Sequence, residues 1–332
     1  MGLPPALERA IEDATAAIPA PALTKAAAEL GRDYRETAVQ RAPRVASDAA
    51  RAAYLEVRMR AIFQVNRVLD AQLQQLCPAM DIRSVLDLGC GPGSATLAAR
   101  QTFARLQTAT LVDREPQWLK LAERLIAATD APLTAAARYM AADLRGIAKL
   151  DEHDLVVISY ALGELPEPAR KAVVERAWES AHGAIVIVEP GTPRGFEVIL
   201  GAREALLAAG ACIVAPCTHR QRCPLAGADW CHFDIRVDRT RRQQQIKAGT
   251  LAYEIEKFSY LIAAHQPAAI AGGAARIIRH PLKKTGHVIL DLCTGDGSAQ
   301  RLVVSRRDGQ SYRDARAAKW GGLWRPVIDG AT

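Results

Sequence analysis

The run Val85-Leu86-Asp87-Leu88-Gly89-Cys90-Gly91-Pro92-Gly93-Ser94 restricts what this chain can fold into more than any other ten residues in it. A short apolar strand leads into three glycines at alternate positions, and a helix-compatible stretch follows. Glycine accepts positive φ and lets backbone approach a ligand closely. Ligands of open α/β sheets lie beyond the carboxyl ends of the strands, where the strand order reverses. The spacing is G-x-G-x-G, not the dinucleotide G-x-G-x-x-G. Downstream, β-rich runs at Thr110–Asp113, Arg138–Ala142, Leu155–Ser159, Ala184–Val188 and Cys212–Ala215 alternate with helical stretches at Ser94–Leu106, Pro116–Ala128, Pro166–Ala181 and Arg194–Ala209. That alternation means right-handed βαβ units and a mostly parallel, doubly wound, Rossmann-like sheet.

The flanks read differently. Tyr54, Val57, Ile62, Val65, Val68, Leu69 and Leu73 recur at helical spacing, so residues 1–80 form a helical segment. Its arginines, Arg35, Arg41, Arg44, Arg51, Arg58, Arg60 and Arg67, are expected on solvated helix faces. After Ala215 the alternation stops, with a helix expected around Tyr253–Ala264 and short strands near Gly286–Leu292 and Arg301–Ser305. The expected organisation is therefore a helical segment at 1–80, a ligand-binding α/β domain at 81–215 and a cysteine-rich basic extension at 216–332 that completes the sheet.

Two carboxylates extend the glycine motif. Asp113 ends the second strand, where an acid can accept both hydroxyls of a ribose, and Asp143 follows the third, placed to accept from an adenine amino group. The set resembles the class I S-adenosylmethionine-dependent methyltransferases. By that resemblance Asp87 and the backbone of Gly89, Gly91 and Gly93 hold the methionine part, Asp113 the ribose and Asp143 the adenine. Tyr160 and Glu164 lie in the loop after the fourth strand, where these enzymes contact the methyl acceptor, and Tyr160 is counted with the cofactor-binding residues. The Asn/Asp-Pro-Pro-Tyr/Phe loop of amino-group methylation is absent, as is a cysteine nucleophile near this strand, so no catalytic residue is assigned. Leu290–Ser298 matches Leu86–Ser94 at six of nine positions, but the strand-like Leu302-Val303-Val304 follows where a helix should start. It is read as a chance copy.

Seven cysteines, an odd number, argue against a disulfide framework. Cys217, Cys223 and Cys231 fall within 15 residues of loop-like sequence; Cys293, with His219 or His232 as substitutes, is the natural fourth ligand. Cys77, Cys90 and Cys212 sit in apolar or strand contexts and read as core. Four thiolates suit either structural zinc or an iron–sulfur cluster, and the residues alone do not choose.

A closer resemblance covers about Arg51 to Trp320. Ala215-Pro216-Cys217-x-His219, Cys223-Pro224-Leu225, Asp229-Trp230-Cys231-His232-Phe233, Glu256-Lys257-Phe258-Ser259-Tyr260, Pro281-Leu282-Lys283-Lys284, Leu290-Asp291-Leu292-Cys293 and Ala317-Ala318-Lys319-Trp320-Gly321 are similar to a methyltransferase-like family associated with the mitochondrial small ribosomal subunit and its bacterial homologues. The resemblance implies a [4Fe–4S] cluster on Cys217, Cys223, Cys231 and Cys293, and action on the small subunit during its assembly. Zinc remains the alternative.

Charge points to the same partner. Residues 236–247 carry a net +4 and residues 274–332 a net +6, against +7 for the chain, so the remainder is slightly acidic. A basic surface on a near-neutral body fits phosphate-backbone binding to ribosomal RNA, and Tyr312, Trp320 and Trp324 are interleaved with it. The expectation is an assembly factor holding immature small-subunit RNA; the alternative is an active methyltransferase of an RNA base. No apolar run approaches the ~20 residues of a membrane span, and Met1–Pro5 lack a signal-peptide pattern. A cytoplasmic protein is expected, monomeric away from the ribosome, with the mitochondrial matrix reserved for organellar relatives.

Overall fold

The computed structural model describes residues 2–36, 47–247, 251–268 and 273–325. The helical segment comprises α1 (Pro5–Thr15), α2 (Ala20–Glu36), α3 (Asp48–Tyr54) and α4 (Arg60–Leu76), the last two joined by one π-helical turn over Leu55–Met59. There follow β1 (Ser84–Leu88), α5 (Ser94–Thr102), β2 (Thr108–Asp113), α6 (Pro116–Thr129), α7 (Ala131–Ala136), β3 (Ala137–Ala141), β4 (His153–Ser159), α8 (Glu167–Glu179), β5 (Ala181–Pro190), α9 (Pro193–Ala208) and β6 (Cys212–Ala215). The remainder holds β7 (Phe233–Asp238), α10 (Arg241–Ile246), β8 (Tyr253–Ala264), β9 (Ala275–Ile277), β10 (Leu282–Lys284), β11 (His287–Cys293), β12 (Ala299–Ser305), α11 (Gly309–Ala317) and β13 (Leu323–Trp324).

The larger sheet runs β3-β2-β1-β4-β5-β8-β6, with β7 also on β8. Strands β1 to β5 are parallel, and β8 enters antiparallel. Strand residues alternate between two apolar layers. Val85, Leu155, Val157 and Val186 pack with α4, α5 and α6, whereas Leu86, Val156, Ile158 and Ile187 pack with Val173, Trp178, Ile199 and Leu206 of α8 and α9. A sheet buried on both faces needs such unbroken apolar runs. The sheet is α/β and doubly wound, with a helical N-terminus, as the alternation requires. Its order reverses between β1 and β4, which puts the glycine turn at the switch point.

Residues 253–264 are a strand, not the expected helix. The second half of β8 is buried on both faces between β5 and β6, so its apolar run is unbroken and conceals the period of two that marks a strand. The first half, paired with β7, does alternate. The second glycine match is a β-hairpin turn: β11 and β12 pair antiparallel from His287–Ser305 to Cys293–Ala299, with Gly297 at φ 84°.

The N-terminal arginines also differ from expectation. Arg60 is buried and ion-pairs with Glu8, and Arg58 forks onto Glu256 of β8 at 2.9 and 3.0 Å. These guanidiniums tie helices to one another and to the sheet. Arg41, Arg44 and the side chain of Arg35 lie outside the described residues. A smaller sheet, β10-β11-β9-β13 with β12 on β11, is backed by α11 over Val288, Leu290, Val304 and Trp324. Among the described residues, no helix is long and apolar enough to cross a membrane.

Candidate functional site

The glycine turn is sewn to its neighbour strand. Gly89 and Cys90 donate their amides to Val112 O, and Gly91 donates to Asp113 Oδ2 at 2.9 Å. Asp113 Oδ1 accepts from Glu115 N, so both its oxygens are fixed while lone pairs remain. Gly89, Gly91 and Gly93 have φ of 75°, 51° and 79°. A Cβ on Gly89 would lie 2.4 Å from Ala161 Cβ, whereas one on Gly91 would meet nothing within 4 Å. The turn is thus closed on the side of β4 and open at its middle glycine.

Beneath it the buried polar atoms do not balance. Asp87 Oδ2 accepts from Thr96 N and Oγ1 at 3.1 and 2.8 Å, but Oδ1 has no partner; nor have Asp70 Oδ2, Asn66 Oδ1 and Ser94 Oγ. Burial pushes the Asp87 carboxyl up to about 6, and burial beside Asp87 pushes Asp70 well up too. Buried polar groups are rarely left without partners, and three of these four atoms are carboxylate or amide acceptors. The arrangement suits a ligand bearing cationic or N–H donors.

Asp143 stands differently. Its carboxylate is held by Arg145 through Nε and Nη2, and that hydrogen bonding draws it down to about 2. Tyr160 directly follows β4 at φ 57°, unusual for a residue with a side chain, and its hydroxyl donates to Glu256 Oε1 at 3.1 Å. Glu189, near the end of β5, is buried, which pushes it to about 7, and its Oε1 accepts from Gly163 N, whereas Glu164, in the loop after β4, is exposed. Asn66, Asp70, Glu189 and Glu256 were not singled out in the sequence. Glu189 could have been, as a single acid closing the apolar run Ala184–Val188.

The four cysteines come together. Cys217 follows β6, Cys223 and Cys231 lie in the β6–β7 loop, and Cys293 ends β11. All four line one cavity with Phe196, Leu225, Phe233 and Ile278. Its remaining wall includes Arg203 of α9 and Arg276 of β9. Loop anchors hold the thiols there: Ser259 Oγ donates to Cys231 O, Trp230 Nε1 to Gly191 O, and Arg203 Nη2 to His219 O and Gln221 O. Burial raises the thiols of Cys217, Cys231 and Cys293, the last to about 12, and the neighbouring thiols add to it. His219 Nε2 lies 3.3 Å from Cys293 Sγ, whereas His232 stacks on Trp230 and meets the edge of Trp320. Cys77, Cys90 and Cys212 do not line this cavity. Among the described residues, no group of three or more His, Cys, Asp or Glu stands in a geometry that holds a metal ion.

The basic stretches divide. Arg239 and Lys247 pair with Glu254, and Arg242 with Glu56, so much of residues 236–247 is engaged internally. By contrast, Lys283, Lys284, Arg301, Arg306, Arg307, Arg313, Arg316, Lys319 and Arg325 are all exposed on and around the smaller sheet. Trp324 and Tyr312 pack in that sheet's core, and Trp320 packs on Phe233 and His280.

Residues 48–325 match the family described as mitochondrial small ribosomal subunit Rsm22. The chain is 30% identical to the human mitochondrial ribosome assembly protein METTL17 over 272 residues, covering 76% of this chain and 57% of that protein. It is 26% identical to the mitochondrial ribosome assembly protein RSM22 of Saccharomyces cerevisiae, covering 52% and 44%. The chain thus spans about half the length of these curated relatives. Among solved structures, magnesium protoporphyrin IX methyltransferase of Synechocystis with bound SAM aligns at TM-score 0.41 and 16% identity, over 61% of this chain and 79% of that one. A likeness of that extent bears on neither ligand nor activity. The relatives are mitochondrial proteins, and this overturns the expectation of a cytoplasmic one.

Proposed function

The chain belongs to the family of the mitochondrial small ribosomal subunit protein Rsm22, and on that premise we propose that it acts in small-subunit assembly, holding subunit RNA on its smaller sheet. One observation carries the reading. Strand β11 both delivers Cys293 to the thiol cavity and pairs with β10, whose Lys283 and Lys284 are exposed. A group bound by the four thiols would therefore brace the strand that carries the basic face. We assign that group as a [4Fe–4S] cluster on Cys217, Cys223, Cys231 and Cys293, with zinc as the alternative in the same cavity. The donor set fits: four thiols, three from the β6–β7 loop and one from β11, share an apolar cavity with two guanidiniums. In this organisation residues 1–80 form a helical buttress, 81–215 the cofactor domain and 216–332 the RNA-binding, metal-braced region.

Support for S-adenosylmethionine at the glycine turn comes from the open face of Gly91 and the unpartnered oxygens of Asp87 and Asp70. Asp87 and the backbone of Gly89, Gly91 and Gly93 would hold its amino-acid end, and Asp113 its ribose. Asp143 would accept from its adenine in competition with Arg145, with Tyr160 walling the site. Anaerobic purification tests the main reading: about four irons per chain, absorbance near 400 nm, and salt-dependent binding to small-subunit RNA. Stoichiometric zinc without iron replaces the cluster, and RNA affinity indifferent to salt removes the docking face.

A second reading, methylation of an RNA base, is favoured by Glu189, buried near the end of β5 and held near neutrality where an acceptor would enter. The cofactor would supply a methyl group on a sulfonium, and the Glu189 carboxylate could take the proton an acceptor releases. Radiolabelled methyl transfer to deproteinised and to assembling small subunits separates the readings. Transfer abolished by Glu189→Gln establishes the second.

A further inference from the structure

Arg203 and Arg276 are 4% and 3% exposed, and neither makes an ion pair among the described residues. A lone buried charge is expensive unless a countercharge joins it. Their hydrogen bonds do not supply one. Arg203 Nη2 donates to His219 O and Gln221 O, and Arg276 donates through Nε to Pro216 O and through Nη1 to Gly321 O, all of them neutral carbonyls. Arg203 Nε and Arg276 Nη2 are buried without a hydrogen-bond partner. Both side chains line the thiol cavity, reaching it from α9 and β9, which are remote from each other in sequence. Two unneutralised cations and four thiols therefore share one apolar space.

We propose that Arg203 and Arg276 are the countercharges of the group bound by the four cysteines, positioning residues that make the cavity a seat for a dianionic metal–thiolate centre. The inference rests on the cluster reading above. Four thiolates around an oxidised [4Fe–4S] core sum to a dianion, which the two guanidiniums neutralise. The unpartnered Nε and Nη2 are then the N–H donors available to sulfur. One electron from an added reductant lowers the core charge by one, breaks no bond and makes the centre a trianion. Nearby guanidiniums favour that reduced state, so they raise the reduction potential, as hydrogen bonds and local charge do at such centres. The same arginines also tie down the loop carrying Cys217, and a test has to separate charge from scaffolding.

The separation comes from Arg203→Gln, Arg276→Gln and Arg203→Lys in the full chain, purified anaerobically beside wild type. Iron content and absorbance near 400 nm report occupancy, and dithionite titration followed by electron paramagnetic resonance reports potential. The expected result is a lower midpoint potential in each Gln variant and a value close to wild type in Arg203→Lys, which keeps the charge but loses the forked hydrogen bonds. Gln variants that hold the cluster at the wild-type potential overturn the proposal while leaving the cluster reading intact. A wild type without iron overturns the cluster reading itself and this inference with it. If both Gln variants fail to fold, Arg203→Lys decides: a folded, brown protein at the wild-type potential supports the countercharge role, and a folded, colourless one contradicts it.

Discussion

Asp87 and Glu189 are buried carboxyls lifted to about 6 and 7 from ordinary values of 3.8 and 4.5. An acid whose pKa is raised by folding binds its proton more tightly in the native state. Such a group stabilises the fold as pH falls through the folded value and weakens it as pH rises. His219 and His232, held below their ordinary value by burial, act in the opposite sense across the same window, so the change in melting temperature of the ligand-free protein from pH 5.5 to pH 8 should be more positive in Glu189→Gln than in wild type. A variant with the wild-type pH profile would contradict the burial of Glu189. Gly91 offers a second test at the same scale. Alanine there faces open space but must hold φ near 51°, a strain of about 1–2 kcal/mol. Binding of S-adenosylmethionine by calorimetry should weaken, with only a small loss of melting temperature.

Among elements, β8 carries the most consequence and was the least legible. Its interior half reads as one apolar block, and a period can be seen only where one face is wet. The strands β1, β2, β4 and β5 were legible because glycines, prolines and acids punctuate them; the second half of β8 has no such marks. The same limit hid Glu256, which is charged in a stretch read as helix yet serves as the hub joining Arg58 and Tyr160 to the sheet. The cysteines were legible by contrast, since thiols crowded into a proline-bearing loop have few structural uses. Their arginine neighbours were not, because α9 and β9 meet only in three dimensions. Removing Glu256 should show how much the hub contributes. Glu256→Ala removes the carboxylate that Arg58 grips with both terminal nitrogens and should cost about 3 kcal/mol in urea unfolding, far more than Glu115→Ala on the exposed Arg114 pair.

Across the whole molecule, charge is divided between internal ties and one outward face. If Lys283, Lys284, Arg306 and Arg307 neutralise phosphates, replacing all four with alanine should weaken RNA binding and flatten its salt dependence, by roughly one in log–log slope for each phosphate left without its cation. Arg239→Ala and Arg242→Ala, which break internal pairs, should lower the melting temperature and leave that slope unchanged. Equal effects of the two sets on slope would mean that the smaller sheet is not the docking face.

The order β5-β8-β6 also has a temporal side. A chain synthesised from its N-terminus finishes β6 at Ala215, but β6 pairs with β8, whose last residue is Ala264. Until then the sheet ends at an open β5 edge, with the loop bearing Cys217, Cys223 and Cys231 attached to a strand that has no neighbour. Cys293 emerges later still. The order of synthesis therefore bounds the order of maturation: the large sheet can close only once β8 is made, and a four-thiol centre can form only after β11.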